Sequence, residues 1–202
     1  MKYLEKLQRD VLAVLWLAAG LFLALALGSF EPSDPSFNTK TTKLVMIKNL
    51  CGYVGSFISD LMYQTFGLSS WVVVIFCLAM AFVYIFNKDF QPSWTKRILS
   101  VALLAISSAL LSLHFPKAVF FNGEIPAGGV AGYFIFETTA AVLNRVGAGV
   151  VLWATALALG LIITERSLLA LIHIPWFAAK RYSLRFFRGL WFNMLQQIQS
   201  AL

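Results

Sequence analysis

The sequence predicts an all-α membrane protein with four transmembrane helices, arranged as two parallel-repeat hairpins. Hydrophobic residues (AVILMFWYC) make up 59% of the 202 residues and charged residues 12%, against roughly 45–50% apolar and about 25% charged residues in soluble domains. The few charges are segregated between long apolar segments. In addition, a pattern of two glycines followed by one acid occurs twice, which indicates two equivalent halves.

The four helices are predicted from apolar segments that carry almost no charge. A bilayer core needs about 20 apolar residues, and a helix satisfies its own backbone hydrogen bonds in lipid. A cleaved signal peptide is the alternative for the first segment, but that segment is longer than the roughly 7–15 apolar residues of a signal sequence, so an uncleaved anchor is expected. The expected helices are residues 11–30, 69–86, 98–114 and 146–164.

The basic residues predict the orientation in the membrane. Eleven of the 16 Lys and Arg lie in the N-terminal tail, in the turn after the second helix and in the C-terminal segment. The other five lie in loops 31–68 and 115–145, where an equal number of acids balances them, so these two loops carry no net charge. By the positive-inside rule, both termini are expected in the cytoplasm. The two balanced loops are then the outer loops.

The repeat places glycines and an acid at equal spacing in the two outer loops. The first copy consists of Gly52, Gly55 and Asp60, followed by Gly67. The second copy consists of Gly129, Gly132 and Glu137, followed by Gly147. Because each half begins and ends on the inner side, the repeat is parallel, unlike the inverted repeats of many secondary transporters.

Each outer loop is expected to fold back as a short helix. In the first loop, apolar residues from Ile47 to Met62 recur at steps of three and four, which is one helical face. In the second loop, Asn122-Gly123 between apolar residues predicts a hairpin, and an apolar helix is expected from Gly129 through Leu143. These helices would pack on the outer membrane surface or lie between the hairpins.

Two interpretations are open for the repeated residues. Glycines spaced by three or four allow close approach of another backbone, so they can be packing positions of a compact bundle. An acid on an apolar helix at membrane depth points to function. If the helices instead lie at the interface, Asp60 and Glu137 can face water or pair with Lys48 or Arg145.

The residues do not predict an enzyme, a cofactor site or a metal site. The sequence contains no nucleophile elbow, no phosphate-binding loop and no dinucleotide fingerprint. His, Cys and acidic residues do not occur at metal-ligand spacing. A small oligomeric transporter or channel that uses Asp60 and Glu137 is an alternative, although the predicted helices contain no internal acid or base.

The C-terminal segment, residues 168–202, is predicted to be a cytoplasmic amphipathic tail. Its apolar residues form one helical face, and its basic residues suit a membrane surface. The apolar stripe is still running at Leu202, so this segment is expected to begin a linker, and the chain is expected to be a fragment. The basic residues that share one face are Arg181, Arg185 and Arg188.

These motifs resemble the N-terminal four-helix membrane domain of the FtsK/SpoIIIE DNA translocases. The resemblance covers residues 10–167, and the order of the motifs relative to the helices carries it. After the first helix stands Ser33-Asp34-Pro35-Ser36, and before the second stand Asn49, Gly52, Gly55, Asp60 and Gly67. Before the fourth helix stand Gly128-Gly129, Gly132 and Gly147. The chain departs from the family at Phe37, where Trp is usual.

The resemblance implies a membrane anchor and septum-targeting domain of a cell-division DNA translocase. It implies lipids, other division-septum membrane proteins and further copies of the protein as partners. DNA, ATP and Mg²⁺ would be bound only by a hexameric motor that is absent from this chain. A small transporter or channel and a stand-alone membrane scaffold remain the alternatives. The candidate interaction or structural residues are Asp34, Asn49, Gly52, Gly55, Asp60, Gly67, Gly129, Gly132, Glu137 and Gly147.

Overall fold

The structure is a computed structural model that describes residues 2–37, 46–86, 93–121 and 125–165. Residue contacts divide the chain into a unit Met1–Gly160 and a unit Leu161–Leu202. The amphipathic tail predicted for residues 168–202, with its three arginines, lies outside the described residues. The described part consists almost entirely of helices.

Five α-helices and one β-hairpin follow one another along the described residues. Helix α1 spans Lys2–Gly28, and α2 spans Gly52–Phe66. A 3-10 turn at Gly67–Ser69 joins α2 to α3, Ser70–Phe86. Helix α4 spans Trp94–His114. The strands β1, Val119–Phe120, and β2, Ile125–Pro126, precede α5, Gly129–Thr164.

Within the part of the chain that the structure describes, four segments are long and apolar enough to cross a membrane, which confirms the predicted four-span, all-α architecture. They are Lys6–Gly28, Gly52–Phe86, Trp94–His114 and Gly129–Thr164. The second and fourth span 35 and 36 residues, longer than predicted, because the short helix of each loop runs directly into the following transmembrane helix. Neither segment contains a proline that would interrupt it.

The first hairpin is packed closely along α1 and α3. Gly20 of α1 faces α3, and a Cβ at this position would lie 2.7 Å from Leu78 Cδ2. Nearer the N-terminus of α1, Trp16 packs edge-on against Phe76 with ring centroids 5.7 Å apart. Small residues at such contacts let two helices approach in the membrane, where dispersion forces drive association.

The second half packs α4 against α5. Ala109, Leu110 and Leu113 of α4 form a buried cluster with Phe136 and Leu152 of α5. The predicted hairpin is confirmed, with β1 and β2 paired antiparallel. Its turn at Asn122-Gly123 lies outside the described residues.

The repeat is also a repeat of backbone conformation. Gly52 and Gly129, which open α2 and α5, both have a φ of 63°. Fifteen positions further on, Gly67 and Asn144 have φ values of 59° and 58°. The helical path of α5 breaks at Asn144, so the structural equivalent of Gly67 is Asn144 rather than Gly147. Asparagine is among the few non-glycine residues that adopt positive φ readily.

Candidate functional site

The loop that follows α1 is built around a buried carboxylate. Asp34 is only 1% exposed. Its two oxygens accept the backbone N–H groups of Lys48 and Asn49, at 2.9 and 2.8 Å. A carboxylate that accepts backbone N–H groups forms stronger hydrogen bonds than a neutral acceptor does. Asp34 therefore fixes residues 48 and 49 beside the end of α1.

Asn49 extends this contact down the side of α1. Its side-chain amide donates to the backbone oxygen of Ala26 at 2.8 Å. Its Oδ1 accepts the N–H of Cys51 at 3.0 Å. The Cys51 thiol in turn donates to the backbone oxygen of Phe22 at 3.5 Å. The chain thus descends along α1 from the level of Ala26 to the level of Phe22.

Two further bonds complete the backbone of this segment. The N–H of Leu50 donates to Ser29 Oγ at 2.9 Å, and the N–H of Gly52 donates to the backbone oxygen of Asn49 at 2.9 Å. Every backbone N–H from residue 48 to residue 52 therefore has an acceptor within the protein. We refer to these bonds among residues 29, 34 and 48–52 as the loop network.

Helix α2 turns its polar side inward. Ser56, Ser59, Asp60 and Tyr63 are buried, and Ser56 Oγ donates to the backbone oxygen of Pro35 at 2.7 Å. The opposite side of α2 is apolar and exposed. Within the stripe predicted for residues 47–62, the structure starts the helix only at Gly52, because the preceding amides belong to the loop network.

Tyr63 connects three helices at the end of the bundle where α1 ends. Its hydroxyl donates to the backbone oxygen of Leu27 at 3.1 Å and accepts the indole N–H of Trp71 at 3.0 Å. Its ring contacts Phe30 and Phe121 at centroid distances of 5.1 and 4.9 Å. Tyr63 is not among the residues predicted from the sequence. Its signal there is weak, a tyrosine and a tryptophan spaced by eight in a segment that also contains glutamine, threonine and serines.

The two acids of the repeat lie in different environments. Asp60 is 5% exposed. Its Oδ1 accepts the Gln64 side-chain amide at 2.7 Å, and its Oδ2 has no hydrogen-bond partner among the described residues. Glu137 is exposed on α5. The structure does not bring the two acids together as a pair.

The basic residues considered as their partners bind elsewhere. Lys48 Nζ lies 3.4 Å from Glu31 Oε2. Arg145 donates to the backbone oxygen of Leu113 at 2.7 Å. Neither contact involves Asp60 or Glu137, so the acids are not held by these two cations.

Glycines of the two repeats meet where the two halves join. The N–H of Leu68 donates to the backbone oxygen of Ala127 at 2.9 Å. A Cβ on Gly67 would overlap the Ala127 backbone, and a Cβ on Gly129 would approach the backbone of Thr65 and Gly67. Both glycines also have positive φ. We call this contact the glycine junction.

The second glycine of each repeat also lies against other parts of the chain. A Cβ on Gly55 would overlap Asn49 Oδ1, and a Cβ on Gly132 would overlap the backbone oxygen of Ser108 on α4. Gly52 differs, because among the described residues, its chain neighbours and its own helix backbone aside, no atom lies within 4 Å of its Cβ position. Gly147 lies inside α5, and a Cβ there would lie 3.2 Å from Leu143 Cβ.

The described residues form apolar packing surfaces. No group of three His, Cys, Asp or Glu residues that could hold a metal ion occurs among the described residues. A groove of about 350 Å³ runs along the exposed side of α2. Its lining consists of apolar side chains, namely Phe37, Tyr53, Val54, Phe57, Ile58 and Leu61.

Comparison with known families decides which class of membrane protein this is. Residues 5–178 match the family described as the 4TM region of DNA translocase FtsK/SpoIIIE. The chain belongs to this family. The glycine junction and the loop network are thus features of an FtsK/SpoIIIE membrane region, and the chain is a multi-pass membrane protein.

The curated proteins that are similar to this chain are named DNA translocase FtsK. The chain is 36% identical to DNA translocase FtsK of Rickettsia bellii over 138 residues, which are 66% of this chain and 16% of that protein. It is 27% identical to DNA translocase FtsK of Vibrio vulnificus over 150 residues, 71% of this chain and 15% of that protein. DNA translocase FtsK 1 of Neisseria meningitidis is 27% identical over 179 residues, 83% and 20% of the two chains.

The chain therefore spans about a fifth or less of the length of these relatives. No solved structure matches it.

Proposed function

We propose that this chain is the membrane anchor and septum-targeting domain of a cell-division DNA translocase. It tethers an ATP-driven DNA pump to the membrane and contacts other membrane proteins of the division septum. The observation that carries the proposal is the match of residues 5–178 to the membrane region of FtsK/SpoIIIE translocases. Further support comes from the relatives, each named a DNA translocase.

The transmembrane helices suit an anchor better than a transport path. Residues 11–28 of α1, α3 as a whole and residues 98–113 of α4 contain no charged side chain. Ionisable residues along transmembrane helices mark ion and proton pathways, and here the buried acids Asp34 and Asp60 lie in the loop after α1 and on α2 instead. The glycine junction instead joins the two halves backbone to backbone, which favours one fixed shape at this end of the bundle.

The proposal includes the orientation of the chain in the membrane and the functions that belong to a motor outside this chain. Both termini lie in the cytoplasm, on the side where DNA is found, as the distribution of basic residues favours. A motor outside this chain binds ATP, Mg²⁺ and DNA and assembles as a hexamer. The arginines of the C-terminal segment bind anionic lipid headgroups; they are Arg181, Arg185 and Arg188.

The test is the location of a fluorescent fusion of residues 1–202 in dividing bacteria. We expect fluorescence to gather at division sites. Gly129→Ala, which disrupts the glycine junction, should weaken this pattern, whereas Gly160→Ala, with no atom within 4 Å of its Cβ position, should retain it at equal membrane abundance. Uniform membrane fluorescence of the unaltered fusion throughout the cell cycle would refute septum targeting and leave a scaffold or transporter as the better explanation.

A further inference from the structure

Helix α2 has the polarity that lipid selects rather than the polarity that water selects. Its buried side carries Ser56, Ser59 and Asp60. Its exposed side carries Tyr53, Val54 and Leu61, with exposed fractions of 60, 61 and 54%. A helix on a water-facing surface shows the reverse arrangement, with its apolar stripe against the core. Polar residues of membrane-embedded helices turn toward the protein interior.

The contacts of the loop network place the start of α2 beside Phe22, well before the C-terminal end of α1. Phe22, which accepts the Cys51 thiol, lies six residues before Gly28, where α1 ends. At 1.5 Å per residue, this is about 9 Å along the α1 axis. Near its other end, α2 contacts Leu27 through Tyr63. Helix α2 therefore lies alongside the last two turns of a transmembrane helix.

The non-helical segment before α2 meets the requirement for backbone inside a membrane. Irregular backbone is tolerated at membrane depth only where protein or water satisfies its polar groups. Residues 48–52 donate all five of their backbone N–H groups to protein acceptors, two of them to Asp34. In a water-exposed loop the solvent could take these bonds, so a buried carboxylate for this purpose would bring little benefit.

We infer that α2 lies within the hydrocarbon region of the bilayer and that its exposed apolar side contacts lipid acyl chains. The loop network is the device that lets the chain re-enter the membrane before α2. The side formed by Tyr53, Val54 and Leu61 continues the lipid-facing surface of the span Gly52–Phe86. This placement goes beyond the anchoring role and does not depend on septum targeting.

The preceding segment of the chain fits the exposed apolar side of α2 less well than lipid does. Residues 38–45, which precede the loop network, contain two lysines and four Thr or Asn residues, a composition unsuited to an apolar groove. A partner protein or a second copy of the chain would also exclude water. The test must therefore separate contact with lipid from contact with protein.

The test uses single cysteines in the full chain. Cys51→Ser, which keeps a donor for Phe22, and Cys77→Ala remove the native thiols. Val54→Cys and Leu61→Cys probe the exposed side of α2, and Ser33→Cys serves as the loop reference. In membranes open to reagent on both sides, a water-soluble maleimide should label positions 54 and 61 at least tenfold more slowly than position 33. All three should label equally in SDS.

A second measurement identifies what covers α2. The same cysteines are labelled with bimane in detergent, and the chain is reconstituted into phosphatidylcholine vesicles with brominated acyl chains. Quenching at positions 54 and 61 should approach that of an added Leu21→Cys variant, on the exposed side of α1, whereas the loop reference Ser33→Cys should be little quenched. Labelling at the rate of position 33 would overturn the inference, because α2 would face water. Slow labelling without quenching would also overturn it, because protein would then cover α2.

Discussion

Removing the buried carboxylate of Asp34 should destabilise the protein more than removing any exposed acid. Asp34→Ala leaves the backbone N–H groups of Lys48 and Asn49 without acceptors. Each of the two buried donors left unsatisfied costs about 1–3 kcal/mol, so the free energy of unfolding should fall by about 2–6 kcal/mol. For a chain of this size each kcal/mol shifts Tm by about 2–4 °C, and the expected loss is therefore about 4–24 °C.

Thermal unfolding of the purified chain in detergent, followed by tryptophan fluorescence, measures this loss. Asp34→Asn keeps one acceptor oxygen and should lose about half as much. Glu31→Ala is the matched control, since this acid of the same loop forms a partly exposed ion pair with Lys48 worth about 0–1 kcal/mol. A Tm for Asp34→Ala within about 2 °C of the unaltered chain, or no lower than that of Glu31→Ala, would refute the role assigned to the loop network.

Four further predictions use the same unfolding measurement. Gly67→Ala should lower Tm by more than about 5 °C, since its Cβ overlaps backbone and its φ is positive, whereas Gly160→Ala should change it by less than about 2 °C; equal effects would contradict the glycine junction. Asn144→Gly should keep or raise Tm, whereas Asn144→Val should lower the free energy of unfolding by at least about 1 kcal/mol and Tm by about 2–4 °C. An unchanged Tm for Asn144→Val would contradict the positive φ of residue 144. Tyr63→Phe removes the hydrogen bonds to the backbone oxygen of Leu27 and from the Trp71 indole N–H and, at about 0.5–1.5 kcal/mol per bond, should cost about 1–3 kcal/mol; no change would mean that water replaces the hydroxyl. Asp60→Asn retains the oxygen that accepts the Gln64 side-chain amide and should keep Tm within about 2 °C. A division defect at normal abundance would then show that the acid is functional. A large fall in Tm would show that it is structural.

The sequence predicts the spans well because hydropathy and helix formation in lipid are linked. The predicted ends at Phe86 and His114 coincide with the ends of α3 and α4. The start of α1 at Lys2 lies outside the first apolar segment, since a helix can continue beyond the membrane when no proline or glycine stops it. Hydropathy locates the part of a helix that crosses lipid, and it contains no information on where the helix begins in water.

The candidate site is predictable only in part. Glycines with positive φ or without room for a Cβ are visible in a sequence, because no other residue serves there equally well. The pairing of Asp34 with the amides of Lys48 and Asn49 is not, because it joins residues fourteen and fifteen positions apart through a loop of unknown path. The apolar periodicity of α2 likewise identifies a helix but cannot separate a side that faces lipid from a side that faces protein, since both are apolar.

The two copies of the repeat share a backbone path but differ in the side chains that they bury. Ser59, buried on α2, corresponds to Phe136, which lies in the apolar cluster of the second half. Gln64, which holds Asp60, corresponds to Ala141, which has no side-chain donor. The acid of the second copy therefore has no equivalent amide to keep it inside.

This difference explains why equal spacing of the acids does not give them equivalent environments in the structure. The first copy is lined with serines and a tyrosine that satisfy buried polar groups, so its acid can turn inward. The second copy packs an apolar side against α4, so Glu137 is left on the exposed side of α5. What the two copies share is the pair of positive-φ positions fifteen residues apart, which set where each short helix begins and where it passes into a transmembrane helix. The glycine at the first of these positions is therefore common to both copies, whereas the acids lie in different environments.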